Sequence, residues 1–169
     1  DWGHHNINDG YHPGGTPQTQ FYLHNDIMSG ITAYESTSLF EGNRITLGVD
    51  YQHFGGKAWN KVIATGEHKS LANKKQDEIA GYLDFRQDLM SLVTLDAGLR
   101  VDYHSTAGTE LVPQGGLTFH INNDAQIRAM VSKGFRNPTI RELYMFRPAN
   151  KDLKPERMTN YELAFSNNL

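Results

Sequence analysis

The feature that most constrains this chain is a period of two. From Leu92 to Tyr103, the residues Val93, Leu95, Ala97, Leu99, Val101 and Tyr103 alternate with Thr94, Asp96, Gly98, Arg100 and Asp102. In an extended chain this pattern gives one wholly apolar face and one polar or charged face. The alternation recurs in Ile45, Leu47, Val49 and Tyr51 against Thr46, Gly48, Asp50 and Gln52. It recurs with more noise in Leu117, Phe119 and Ile121, in Ile127, Ala129, Val131 and Phe135, and in Tyr161, Leu163 and Phe165. Residues 79–86 set Leu83 and Phe85 against Tyr82, Asp84 and Arg86, while residues 30–40 are strand-like without choosing a face. The expectation is an all-β chain of about seven antiparallel strands.

The connections alternate in length. Glu41-Gly42-Asn43-Arg44, the segment Asp88 to Ser91, and Asn122-Asn123-Asp124 carry the Gly, Asn and Asp of tight turns. Residues 54–77 and 136–157 read as long irregular links, residues 104–109 as a modest loop, and residues 1–26 as the tail of a further long loop. Short turns at one end and long loops at the other are the layout of an outer-membrane barrel.

No apolar stretch approaches the roughly 18–20 residues of a spanning helix, which leaves a barrel open because barrel strands hide their apolar residues on alternate positions. The net charge of -3 over 169 residues leaves no electrostatic footprint for nucleic acid. The absence of cysteine rules out disulfides and thiolate metal sites and fits an exported protein. Asp1-Trp2-Gly3-His4-His5 has neither the basic start nor the apolar core of a signal peptide, so a mature chain or a fragment is expected.

Alternation alone leaves two architectures open, a membrane barrel and a soluble antiparallel sandwich serving as an adhesin or carbohydrate-binding module. Strands of about 10–12 residues are closer to a spanning strand than to the soluble average of about 5–6. Phe40, Tyr51, Tyr103 and Phe135 sit near the ends of apolar faces, where an interfacial girdle would place them. Pro113 and Lys133, on or near apolar faces, fit a barrel only near its rim.

The stretch Ser132-Lys133-Gly134-Phe135-Arg136-Asn137-Pro138-Thr139-Ile140-Arg141-Glu142-Leu143-Tyr144 is followed by Asn150-Lys151-Asp152-Leu153-Lys154-Pro155-Glu156 and then by Asn160-Tyr161-Glu162-Leu163. This order resembles the TonB-dependent outer-membrane receptor family, where a Gly-Phe-Arg-x-Pro-like strand end, a returning Asn-Pro-Asp-Leu-Lys-Pro-Glu-like element and an Asn-Tyr-Glu-like strand follow one another. Gly98 to His104 and Pro113 to Leu117 resemble the preceding barrel strands, and Lys151 departs from the family's usual proline. The resemblance implies that residues 1–169 are part of a barrel of about 22 strands, an open section without its plug. It further implies bacterial outer-membrane lipid, a plug domain and the TonB complex as partners. The implied cargo is a scarce nutrient such as a ferric siderophore, heme, cobalamin or another metal chelate.

Pro138 and Pro155 end and restart strands, because proline lacks the ladder donor and biases the residue before it away from helix. In the link 136–157 that contains them, Arg136, Arg141, Met145 and Phe146 are the candidate ligand-binding residues. Asp50, Asp84, Arg86, Asp96, Arg100, Asp102 and Arg128 fall on polar faces and are expected to face the lumen, where mixed charges read as cross-strand ion pairs rather than acid/base machinery. His4, His5 and His12 cluster early and are candidate metal ligands, with His24, His53, His68 and His104 in or beside other loops. Thr139 to Ala149 contain no histidine, so the heme-ligating position that some relatives have between their two loop boxes is unsupported. No nucleophile elbow, phosphate-binding glycine loop or zinc-hydrolase helix appears, so neither enzyme activity nor a cofactor is expected.

Overall fold

A computed structural model describes residues 2–7, 19–145 and 148–167. The strands are β1 (Trp2–Ile7), β2 (Gln20–Thr37), β3 (Asn43–Val62), β4 (His68–Leu89), β5 (Val93–His104), β6 (Gly108–His120), β7 (Ala125–Arg136) and β8 (Glu156–Asn167), with a five-residue helix α1 (Ile140–Tyr144) between the last two. They form one up-and-down sheet in the order β1-β2-β3-β4-β5-β6-β7-β8. Two compact units can be distinguished, residues 1–30, 52–77 and 138–154 in one, and residues 31–51, 78–137 and 155–169 in the other.

In the second unit, the register converts the alternation into two faces. Leu83 lies opposite Leu99 and Phe85 opposite Ala97. Leu95 lies opposite Leu117, and Val93 opposite Phe119. Phe119 in turn meets Ile127, which meets Phe165. These apolar side chains are not buried: Leu47, Val49, Leu83, Leu99, Val101, Leu117 and Leu163 are all exposed, Leu99 by 43 %. A sandwich would bury this face under a second sheet, and the described residues contain only one. Tyr51 and Tyr103 stand exposed toward the long-loop end, and Phe40, Phe119 and Phe165 toward the short-turn end. At about 3.4 Å per residue, the 12 residues of β5 span about 40 Å, or about 28 Å at a barrel tilt of about 45°, which matches a hydrocarbon core of about 30 Å.

The polar ends of this unit are secured by turn chemistry. Gly42 takes the left-handed φ of 71° that a non-glycine would resist, and its carbonyl accepts from the Asp88 amide at 2.8 Å. Buried Asn43 donates to the Arg86 carbonyl at 3.1 Å, tying the β2–β3 turn to β4. His104 Nδ1 accepts from the amides of Thr106 and Ala107, at 3.2 and 3.1 Å, and so holds the β5–β6 turn. Pro113 stands immediately before the β6–β7 pairing that begins at Gln114 opposite Ser132, where its missing donor costs no bond in that ladder.

The first unit departs from the sequence reading. Residues 54–77 are not an irregular link: β3 continues to Val62, a tight turn follows with Val62 donating to Glu67 and Gly66 donating to Val62, and β4 starts at His68. Residues 2–7 and 20–26, read as a loop tail, are the paired strands β1 and β2, with His5 opposite His24. Among the described residues the strands therefore number eight, where about seven were expected. Lys69, Lys74, Lys75, Gln76 and Asp77 carry no apolar alternation, which is why period two did not reveal them. Residues 137–155 do form a long connection, folded in part around α1.

Glycine at 55 and 56 lets three strands of this unit approach closely. A Cβ on Gly56 would lie 2.0 Å from the Asn25 carbonyl oxygen, and one on Gly55 would lie 2.3 Å from that of Lys74. Both obstacles are backbone and cannot rotate away. Gly56→Val is expected to destabilise the folded barrel by at least about 1–3 kcal/mol. Gly81→Ala, where a Cβ meets nothing within 4 Å, should be neutral. Heat-modifiable electrophoretic mobility and chemical unfolding would check this, and equal behaviour of the two variants would contradict the close packing.

Candidate functional site: a charged sheet face and a loop-bearing unit

The second unit carries a continuous polar face. Arg100 sits at its centre, donating to both oxygens of Asp102 at 2.8–3.1 Å and pairing with Asp50. The guanidinium lies 5.7 Å from the centre of the Tyr82 ring, and that ring covers Gly48, where a Cβ would stand 2.1 Å from the phenol carbon. Asp102 is only 1 % exposed, and Arg100 is its ion-pair partner. Next to this network, Gln114 donates to Asp84 at 2.9 Å over Gly98, and Arg86 reaches Asp88 at 3.6 Å. Arg44, Asp84, Arg86, Asp96, Gln114 and Arg128 line a shallow cavity of about 230 Å³.

All seven residues expected on the polar side thus fall on two adjoining patches of one face, Asp50, Arg100 and Asp102 in one, and Asp84, Arg86, Asp96 and Arg128 in the other. Asp50 and Asp102 are matched by the Arg100 guanidinium and Asp84 by the Gln114 amide, cross-strand pairing that orders this polar face. Sequence reading missed the pair between buried Glu110 and Arg157, at 2.6 and 2.7 Å, because it joins residues 47 apart in the chain.

Residues 138–154 in the first unit hold two of the expected loop candidates, Arg141 and Met145. Thr139 and Glu142 form a reciprocal capping box that starts α1 directly after Pro138. Leu143 is its anchor, 2 % exposed, and the Asn150 amide returns to the Glu142 carbonyl at 3.0 Å. Tyr144 packs under the Lys74 ammonium at 4.6 Å. Arg141 is close enough to Tyr22 to oppose the rise that burial causes in the phenol's pKa, while Asp26 adds to it. Met145 caps the helix, and Phe146 lies outside the described residues. Arg136 belongs to the second unit and forms a two-bond pair with Glu156 directly across β7 and β8, which gives it a structural duty at the strand end.

The histidines separate by role. His53 bonds Asp77 at 2.8 Å, His68 stacks on Trp59 at 6.2 Å, His104 holds a turn, and His120 meets the Thr94 hydroxyl at 3.1 Å. Of the early trio, His4 bonds Asn25, His12 lies outside the described residues, and His5 faces His24. The donor atoms of His5, His24 and Asp26 lie within 4.8 Å of one another. Burial holds the His24 imidazole below the usual histidine range; Asp26 works against this, and His5 and His4 add to it.

With this geometry in view, comparisons with known proteins agree. Over 112 residues, or 66 % of its length, the chain is 27 % identical to the vitamin B12 transporter BtuB of Photobacterium profundum, spanning 18 % of that protein. A mutant of the ferric enterobactin receptor PfeA of Pseudomonas aeruginosa superposes with a TM-score of 0.68 at 17 % identity, over 88 % of this chain and 25 % of that one. The siderophore receptor PirA of Acinetobacter baumannii gives 0.65 at 17 % identity, again over 88 % of this chain and 25 % of its own. The chain therefore spans a quarter or less of these relatives' length, and their likeness in structure is a likeness of fold. A family model described as TonB dependent receptor-like, beta-barrel matches residues 1–168, and the chain belongs to that family of receptor and transporter barrels.

Proposed function

We propose that this chain is a wall section of an outer-membrane active transporter that binds a scarce metal chelate outside the cell and imports it with energy supplied through TonB. The observation that carries this reading is the pairing of opposite faces on one sheet. An exposed apolar belt suits hydrocarbon, and a charged face ordered by cross-strand ion pairs suits a wet lumen meeting a plug. The named relatives are a vitamin B12 transporter and siderophore receptors, so the cargo classes that follow by analogy are ferric siderophores, cobalamin and related chelates such as heme. The plug and the TonB complex are the partners that this mechanism needs.

Within the section, Leu83, Leu99, Leu117 and their neighbours hold the lipid boundary. Asp50, Asp84, Arg86, Asp96, Arg100, Asp102 and Arg128 line the passage. Arg141 and Met145, carried on and beside α1 with Phe146 following, contribute to recognising cargo from the outside. Arg136, paired with Glu156, secures the end of β7.

Two measurements test the proposal. Leu99→Arg, at the middle of β5, should cost about 2–4 kcal/mol of stability in lipid vesicles, whereas Gln114→Arg, beside Asp84, should cost much less. Equal costs would overturn the assignment of faces. In cells, deleting the gene should abolish uptake of one member of a panel of ferric siderophores, heme and cobalamin. Loss of TonB should abolish the same uptake. Unchanged uptake of the whole panel would end the nutrient reading.

A further inference from the structure

On the β1–β2 hairpin, His5 and His24 are directly opposite, and Asp26, two residues along β2, shares the face of His24. The residue opposite Asp26 is Gly3, and its missing side chain matters. A Cβ there would lie 2.6 Å from His5 Nε2 and 3.0 and 3.2 Å from the two Asp26 carboxylate oxygens. Gly3 thus keeps open the place where the three donors converge. His5 Nε2 is 3.3 Å from Asp26 Oδ1, and His24 Nε2 is 4.0 Å from the same oxygen. Ligands held 2.0–2.2 Å from a tetrahedral metal ion are separated by about 3.3–3.6 Å, so the His5–Asp26 contact already matches, the His24–Asp26 contact needs a shift of about half an ångström, and the two imidazole donor atoms, within 4.8 Å of each other, close up by ring rotation.

A second observation points to a ligand. His24 Nε2 is shut off from solvent and has no hydrogen-bond partner among the described residues. An ordinary ion pair between His5 and Asp26 would leave that nitrogen unsatisfied, and a buried acceptor without a partner is costly. A metal ion resolves this, because it takes the lone pairs of both nitrogens and the carboxylate charge together. His4 stays out of the set, since it points to the other face and bonds Asn25.

We infer that His5, His24 and Asp26 form a binding site for a single borderline divalent transition ion, of which Zn²⁺ is the reference. Two imidazoles and one carboxylate suit Zn²⁺, Ni²⁺ or Cu²⁺ and are a poor match for Ca²⁺ or Mg²⁺, which want oxygen shells. The three protein ligands leave a fourth position for water or for a donor atom of an incoming molecule. The site is a property of this hairpin and holds whichever chelate the full receptor transports.

The test uses the full-length receptor in detergent micelles with Zn²⁺ alone, titrated calorimetrically and against a chromophoric chelator. One tight Zn²⁺ per chain is expected. His5→Ala, His24→Gln and Asp26→Asn should each weaken it at least about tenfold, while His53→Ala and His68→Ala leave it unchanged. Should the ligand variants fold poorly, Cu²⁺ bound to the unmodified protein gives an independent reading, with two equatorial histidine nitrogens expected in its electron paramagnetic resonance spectrum. Absence of tight Zn²⁺ binding overturns the inference. So does affinity that survives the ligand variants, or a Cu²⁺ site without the two nitrogens.

Discussion

Backbone pairing along the sheet is what the rest of this structure depends on. Hydrocarbon offers no hydrogen-bond partners, so each amide and carbonyl at membrane depth must be satisfied by a neighbouring strand, and only a sheet that closes on itself does this without a bare edge. The consecutive antiparallel order β1 to β8 meets that demand strand by strand. Once the backbone is satisfied sideways, side chains above and below the sheet are free to answer to different solvents. The exposed Leu83–Leu99 pair and the Asp50–Arg100–Asp102 network belong to one wall for this reason.

The polar face shows how a charged surface is ordered without becoming reactive. Arg100 joins two strands by serving two carboxylates, and Tyr82 lies flat where Gly48 yields space. Gln114 and Asp84 meet across Gly98 in the same way. Glycine in these strands exchanges local stability for the approach of a larger neighbouring group, which is a use of the residue that propensity alone would count against a strand. In the first unit, Gly55 and Gly56 serve backbone approach instead.

Legibility in the sequence tracked the environment of each strand. Where one face is apolar and the other charged, as in β5, β6 and β7, alternation located the strands and even their faces. The motif from Ser132 to Leu163 carried the family, and Pro138 correctly marked the end of β7. Residues 54–62 and 68–77 were read as irregular because Lys, Gln, His and Gly on both sides of a strand leave no period to detect. The first hairpin was missed for the same reason: Gly3-His4-His5-Asn6 has no apolar face.

The sequence by itself determined that the chain is β, which side chains share a face within a strand, where the tight turns fall, and to which receptor family it belongs. These are local properties, set by a repeat of two and by turn residues a few positions apart. Only the tertiary structure decided which distant residues meet: Arg157 with Glu110, Arg100 with Asp50, and His5 with His24 and Asp26. Register between strands is fixed by many backbone bonds acting together, and a slip of one residue would move every side chain to the opposite face. No single residue type announces that outcome, so a histidine count could suggest a metal site but not choose its members.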